Sequence, residues 1–373
     1  MFTGEAPGRL DFMGGVADYS GSLVLQVATA ATTTVRAHVL DSCECAAACA
    51  VLHSASFGEV RLPLAPLAAL VSSGGGLTPS SLRGVRAALE AAGAPRWAFY
   101  VFGAFSAFAL ETGWLPPGGR SLRLEVSSTV PLAQGVSSSA SVEVATLRAV
   151  GAAAGAPLPP LRAAHVAQAA ENHVVGAPCG LMDQLASSLG SPRRVLPILC
   201  RPDGVEPPAA LPAGAAVVGW PSGVEHSVAG SPYGVARAAA FMAKRVLEAR
   251  GAAPPLACIT QLAPSDLEAV AGELPEAITG AEFSARYGAT DDPLSVVDAG
   301  TTYALRAAAR FPVGESFRCG ARRGPPPHAR ATPSLPPPPP PAAAPPRWPS
   351  SAPWKGAPWA SPRWRRRSPR LAS

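Results

Sequence analysis

The stretch PLAQGVSSSASVEVA, Pro131 to Ala145, constrains this chain most, because a glycine, three serines and a helix-forming apolar pattern follow one another without a gap. Gly135 permits a tight turn with close backbone approach, Ser137, Ser138 and Ser139 supply hydroxyls and amides, and Val142, Ala145 and Ala149 recur at helical spacing behind them. Such a segment aims the unpaired amides and dipole of a helix N-terminus at whatever sits in the loop, and both favour an anion. No Gly-Lys-Ser or Gly-Lys-Thr follows the glycine, which excludes a Walker A loop. Taken alone, three serines serve equally well as caps of a buried helix.

With 373 residues, 48% of them hydrophobic, the chain is long enough for two domains with cores of their own. Its net charge of +6 belongs to its end: from Cys319 onward there are ten Lys or Arg and no Asp or Glu, so the preceding residues carry −4. The basic balance therefore gives the folded part no reason to bind nucleic acid. No basic stretch precedes an apolar core at the N-terminus, and the longest apolar run, Trp97 to Leu110, is too short to span a bilayer and suits a buried helix. Seven irregularly spaced cysteines point to reduced thiols and a cytoplasmic address. Cys43, Cys45, Cys49 and His53 match the spacing of no common zinc site.

Composition divides the chain into three regions. Residues 1–200 mix β-type runs, Ser22 to Val39 and Ser121 to Val130, with helical patterns, Ser139 to Ala154 and Leu161 to Val174, an α+β arrangement rather than a regular βαβ repeat. Past the Pro- and Gly-rich stretch Pro202 to Gly214, a second region, 214–318, opens with the apolar run Ala215 to Trp220 and holds a clear helix at Val235 to Ala249. Residues 319–373 are mainly Pro, Ala, Arg and Ser, with a proline run from Pro336 to Pro341 and Trp348, Trp354, Trp359 and Trp364 scattered among them. Such a segment buries too little apolar surface to offset the entropy of ordering it and reads as disordered. Either this tail recruits partners or RNA, or its composition reflects GC-rich sequence translated out of frame.

Two further clusters carry chemistry. APGRLDFMGGVADYSGS, from Ala6, sets Arg9 and Asp18 in a glycine-punctuated turn region. A carboxylate there accepts hydrogen bonds from vicinal hydroxyls, and a guanidinium neutralises charge on a phosphoryl group in transfer. ENHVVGAPCGLMDQ puts Glu171 near the end of one helix and Asp183 just inside the next, with a turn that lets both converge. One such acid holds a hard cation through oxygen while the other orients or deprotonates a hydroxyl. Taken one at a time, each of these residues reads as a surface ion pair or a capping group.

These segments, in this order, resemble the signatures of the GHMP sugar kinases, in particular the galactokinase and L-arabinokinase branch, over about residues 4–317. Arg96 to Gly103, with Trp97, is similar to the stretch near the family's adenine pocket, and Glu225 to Tyr233 is similar to the segment with its sugar-contacting tyrosine. The resemblance implies Asp183 as the catalytic aspartate and Arg9 as the group stabilising the transferring phosphoryl. It implies Ser139 and Glu171 as Mg2+ ligands, Gly135, Ser137 and Ser138 as triphosphate contacts, and Asp18 and Tyr233 as sugar contacts. The implied reaction is attack of an anomeric hydroxyl on the terminal phosphate of ATP. The implied fold is a two-domain α+β structure whose N-terminal half contains a rare left-handed crossover.

Galactokinases carry Glu-His where this chain has Gly15-Val16, and there the acid contacts the hydroxymethyl arm of galactose. L-arabinopyranose lacks that arm, an unpaired buried carboxylate is costly, and plant L-arabinokinases have Gly-Gly at this point. The resemblance therefore favours L-arabinose, with galactose as the alternative. It also implies departures. Glu225 stands where the family has an arginine near the reacting phosphate, and Ala133 and Gln134 narrow the phosphate loop. A Gly-Gly-Gly-x-Gly-Gly run is absent and the similarity ends near Phe317, which implies an incomplete C-terminal domain, while plant arabinokinases carry a further domain ahead of the kinase. A sugar-binding sensor without catalysis is the third reading.

Overall fold

Strand Phe2–Met13 (β1) pairs antiparallel along most of the 18-residue strand Leu23–Leu40 (β2) in the computed structural model, which describes residues 1–41, 47–201, 203–223 and 232–321. Val, Thr and Leu supply the β-branched and apolar side chains that suit a pleated, half-buried surface. Strands Cys49–Ser54 (β3) and Gly58–Pro63 (β4) form a hairpin, and helices Ala65–Ser72 (α1), Pro79–Ala91 (α2) and Arg96–Thr112 (α3) lead to strand Ser121–Ser128 (β5). Helices Ser138–Ala154 (α4), Pro160–Ala170 (α5) and Met182–Leu189 (α6) follow, then strands Arg194–Cys200 (β6), Asp203–Val205 (β7) and Ala209–Ala210 (β8). The sheet runs β4-β3-β5-β2-β6-β7, with β1 on β2 and β8 on β6, and among the described residues β3 with β5 is its one parallel pairing.

The main core lies between this sheet and the helices. Val35, Leu52, Leu122 and Leu124 from the strands meet Phe105 and Phe108 of α3 and Val144 and Leu147 of α4. Helix α4 is buried around almost its whole circumference rather than along one stripe, because β1 and β2 cover one side and α3, α5 and α6 the others. That packing explains its small and apolar composition.

Two segments differ from the sequence reading. The stretch around Arg9 is strand β1 and not a turn; register irregularities at Pro7/Arg9 and Asp11/Met13 interrupt its pairing, and only Gly15–Ser20 turns, as a 3-10 segment. The helix expected to reach Val174 ends at Ala170, and Glu171–Val175 widens into a π turn.

Past residue 214 the run Ala215 to Trp220 has no regular structure, with Val218 and Trp220 79% and 90% exposed. Helix Pro232–Ala249 (α7) packs with Pro264–Val270 (α8), strand Ile278–Thr279 (β9), helix Gly280–Tyr287 (α9), strand Thr302–Tyr303 (β10) and helix Leu305–Ala321 (α10) around a second core built on Met242, Val246, Phe283 and Tyr303. Helix α10 also touches β2 and the Gly15–Ser20 turn, so Met1–Gly324 make one compact unit. It runs beyond residue 318, and Cys319 is buried against Leu23 and Leu25. Cys43, Cys45, Glu225 and residues 322–373 lie outside the described residues. Among the described residues no helix is long and apolar enough to cross a membrane.

Replacing Phe105, fully buried, with Ala should cost about 3–5 kcal/mol. Phe311 on α10 is 43% exposed, and its replacement should cost less than about 1 kcal/mol. Denaturant midpoints of the two variants check the contrast.

Candidate active site

The π turn and the bulged strand converge on the N-terminus of α4. There a cavity of about 650 Å³ is lined by Arg9, Asp18, Trp97, Gly135, Ser137, Ser138, Ser139, Glu171, Asp183 and Tyr233. The ten residues to which the resemblance assigns a catalytic or binding role all line this chamber.

Arg9 projects from β1 to Asp183, the second residue of α6. Its Nε and Nη2 donate to the same carboxylate oxygen, Oδ1, at 2.9 and 2.7 Å. Its Nη1 donates to the carbonyl of Gly135, and its backbone N–H donates to the carbonyl of Val136. One side chain thus joins a strand, the serine loop and a helix. Burial acts to lower the Arg9 pKa, but Asp183 beside it, with Asp11 and Asp18 farther off, carries it above the usual value. Among the described residues no hydrogen bond engages Asp183 Oδ2.

The serine loop does not cap its helix. Ser137, at the N-cap, has φ 58 and ψ 49 and makes no side-chain capping bond, and its buried Oγ has no partner among the described residues. Gly135 has φ +68, a left-handed backbone that favours glycine, and no protein atom lies within 4 Å of where its β-carbon would sit. Ala133 and Ser137 hold the same unfavourable region without being glycine, at φ 54 and 58. Strain of this kind is kept where it aims groups at a ligand.

Behind the loop lies an acid pair of which the sequence reading named only one member. Glu171 accepts from Gln184 Nε2 at 2.6 Å, with the Ser139 hydroxyl and Glu143 close enough to act on its charge. Gln184 Nε2 also reaches Glu143 Oε2 at 3.4 Å, and Cys179 Sγ donates to Glu171 Oε2. Burial, then the charge of Asp183, pushes Glu171 up to about 7; burial, then the charge of Glu171, pushes Glu143 well above the carboxylate range. Two buried acids side by side resist being charged together. Glu143 was findable: it follows Ser139 by four residues, one helical turn, in an otherwise small and apolar run. Gln184, deep in the α5–α6 junction, carries no such signal.

At the opposite end Trp97 stacks on Phe57, with ring centroids 6.0 Å apart and planes at 19°, and Tyr100 lines the wall beside them. Phe57 sits in the β3–β4 turn, 51% exposed, and nothing in its sequence context marks it. This aromatic platform suits a planar base.

Asp18 closes the end near Asp183 and Tyr233. Its Oδ1 is buried without a hydrogen-bond partner among the described residues, and Gly180 presses on Oδ2 so closely that a β-carbon there would lie 1.8 Å from it. Burial, then the charge of Asp183, raises its pKa to about 6. Because the folded state binds this proton more tightly than the unfolded chain, stability falls as pH rises from about 4 to 6 and stays lower above that. Asp18→Asn should therefore stabilise the protein by roughly 1–3 kcal/mol at pH 7. The gain should vanish as pH falls towards 4, as thermal unfolding across that range will show.

The GHMP kinases N terminal domain matches residues 100–191. L-arabinokinase from Arabidopsis thaliana is 34% identical over 85% of this chain and 35% of its own length. A galactokinase from Mycobacterium tuberculosis (strain ATCC 25618 / H37Rv) is 34% identical over 62% of this chain and 56% of its own. A galactokinase from Chloroflexus aurantiacus is 40% identical over 41% of this chain and 38% of its own. The chain thus spans between a third and somewhat over half the length of these relatives. Among solved structures, Lactococcus lactis galactokinase complexed with galactose superposes with a TM-score of 0.61 at 18% identity, covering 86% of this chain and 69% of that one. The matched domain and the identity to named sugar kinases together show that the chain carries the N-terminal domain of the GHMP kinases.

Proposed function

We propose that the chain transfers the terminal phosphoryl group of ATP to the anomeric hydroxyl of a pyranose, L-arabinose in preference to galactose. One observation carries this reading: the Arg9–Asp183 pair, the Ser139–Glu171 contact and the unpartnered Asp18 oxygen face a single cavity at a helix N-terminus. Phosphoryl transfer depends on positioning and on charge stabilisation, and those groups supply both.

The adenine lies against Trp97 and Phe57, and the phosphates run to the α4 N-terminus, where the amides and the Ser137 and Ser138 hydroxyls meet them. Asp18 and Tyr233 accept and donate to the sugar hydroxyls. Asp183 takes the proton of the attacking hydroxyl on Oδ2 while its Oδ1 stays clamped by Arg9, whose remaining N–H donors face the transferring group. Among the described residues no cluster of three or more His, Cys, Asp or Glu is arranged to hold a metal ion. The half-buried Ser139 hydroxyl beside the buried Glu171 carboxylate nevertheless fits Mg2+, which takes few protein oxygens and completes its shell from phosphates and water. Ser139 and Glu171 would hold it, and it would neutralise phosphate charge.

The preference for L-arabinose rests on Gly15 and Val16. Val16 presents an apolar wall to the cavity, and the ring of Phe311 fills the space at residue 15, 2.9 Å from where a β-carbon would lie. Neither position offers a polar partner to a hydroxymethyl arm. Free thiols at Cys179, Cys258 and Cys319 support a cytoplasmic address.

Purified full chain with ATP and Mg2+ should form L-arabinose 1-phosphate, with kcat/KM at least about tenfold above that for galactose. A reversed ratio overturns the sugar assignment. Sugar binding without turnover overturns catalysis and leaves a sensor. Asp183→Asn should lower kcat by about 10²–10⁴ with little change in sugar affinity, measured by single-turnover kinetics and calorimetry. Sugar affinity of the parent protein should weaken as pH falls through about 6, because protonated Asp18 loses acceptor capacity.

A further inference from the structure

Arg237, on α7, is 6% exposed and makes three kinds of contact at once. Its Nε and Nη2 donate to the two oxygens of Asp292 at 2.7 and 3.0 Å, a buried fork. Its Nη1 reaches the carbonyl of Pro178 at 3.3 Å, in the turn that joins Glu171 to Asp183. Its guanidinium lies over the rings of Tyr19 and Phe241, each 5.7 Å from centroid to Cζ. Tyr19 in turn packs edge-on against Tyr233, at 5.5 Å between centroids.

These contacts gather the acceptor end of the cavity. Tyr19 follows Asp18 directly, Tyr233 precedes Arg237 by one turn of the same helix, and the Pro178 turn continues into Gly180, which presses on Asp18. The loop that supplies Asp292 is pinned a second time, since Lys244, seven residues along α7, pairs with Asp291 at 2.7 Å. A buried ion pair is weak evidence for stability, because apolar residues of similar volume often replace one at no loss. Its geometric effect is what apolar replacements do not reproduce.

We propose that the Arg237–Asp292 pair is the positioning device of the acceptor half of the site: without touching substrate, it holds Asp18, Tyr233 and the Pro178 turn in register with Asp183. The inference rests on the sugar-kinase reading above. Loss of the pair loosens the sugar end, while the nucleotide end, built on α4 and on the Trp97–Phe57 stack, keeps its own supports.

The double variant Arg237→Met with Asp292→Leu removes the fork and keeps an apolar filling. With the full chain, L-arabinose KM should rise at least tenfold, ATP KM should stay within twofold, and the thermal midpoint should stay within a few degrees. Arg237→Lys keeps the charge near Asp292 but not the fork, and should raise L-arabinose KM about three- to tenfold with ATP KM again unchanged; it decides the matter if the double variant does not fold. A double variant, or failing that Arg237→Lys, with parental KM for L-arabinose overturns the positioning role and leaves the kinase reading intact, as does a parallel rise in both KM values. A parent chain that neither binds nor phosphorylates a sugar overturns the kinase reading and this inference with it.

Discussion

The ion pair between Arg9 and Asp183, 174 positions apart in sequence, is the constraint on which the site depends. Arg9 is reached only because β1 lies along β2 with an irregular register at Pro7/Arg9, and Asp183 only because the turn after the π segment starts α6 at the same depth. The same guanidinium holds the Gly135 carbonyl, so strand, loop and helix cannot move independently. Neutralising Asp183 would leave the buried Arg9 charge without compensation, the costly half of such a pair.

Among the described residues that line the chamber, acids outnumber bases. Asp18, Glu171 and Asp183 face the reacting end with Glu143 behind them, and burial lifts Asp18, Glu171 and Glu143 above their ordinary range. A polyanionic nucleotide entering such a place needs more than Arg9: the α4 N-terminus contributes partial charge, and Ser139 and Glu171 would hold a divalent cation that would relieve the remainder. The unpartnered oxygen of Asp18 and the unpartnered hydroxyl of Ser137 have the same meaning at smaller scale, as buried acceptors and donors placed for a ligand.

Periodicity made the scaffold legible. The β-branched run of β2, the apolar α3 and the helix behind the serines stand in the structure within a residue or two of where their patterns place them. Glycine-rich spacing misled at Arg9, where glycines serve a bulged strand and close packing instead of a turn. The supporting shell was less visible, because its members find each other only in space. Phe57 comes from a hairpin turn, Gln184 from a helix start, and Arg237 and Asp292 from separate segments of the second core. The adjacent acids Asp291 and Asp292, facing bases spaced seven apart on α7, form a pattern that a sequence reading can see only once the helix and loop are known to touch.

The most direct test is a structure of the full chain with a non-hydrolysable ATP analogue, Mg2+ and L-arabinose. The account requires the anomeric oxygen within hydrogen-bond reach of Asp183 Oδ2, the terminal phosphate beside Arg9, and the base against Trp97 and Phe57. A nucleotide bound outside this cavity, or a sugar presenting a different hydroxyl to Asp183, would contradict it.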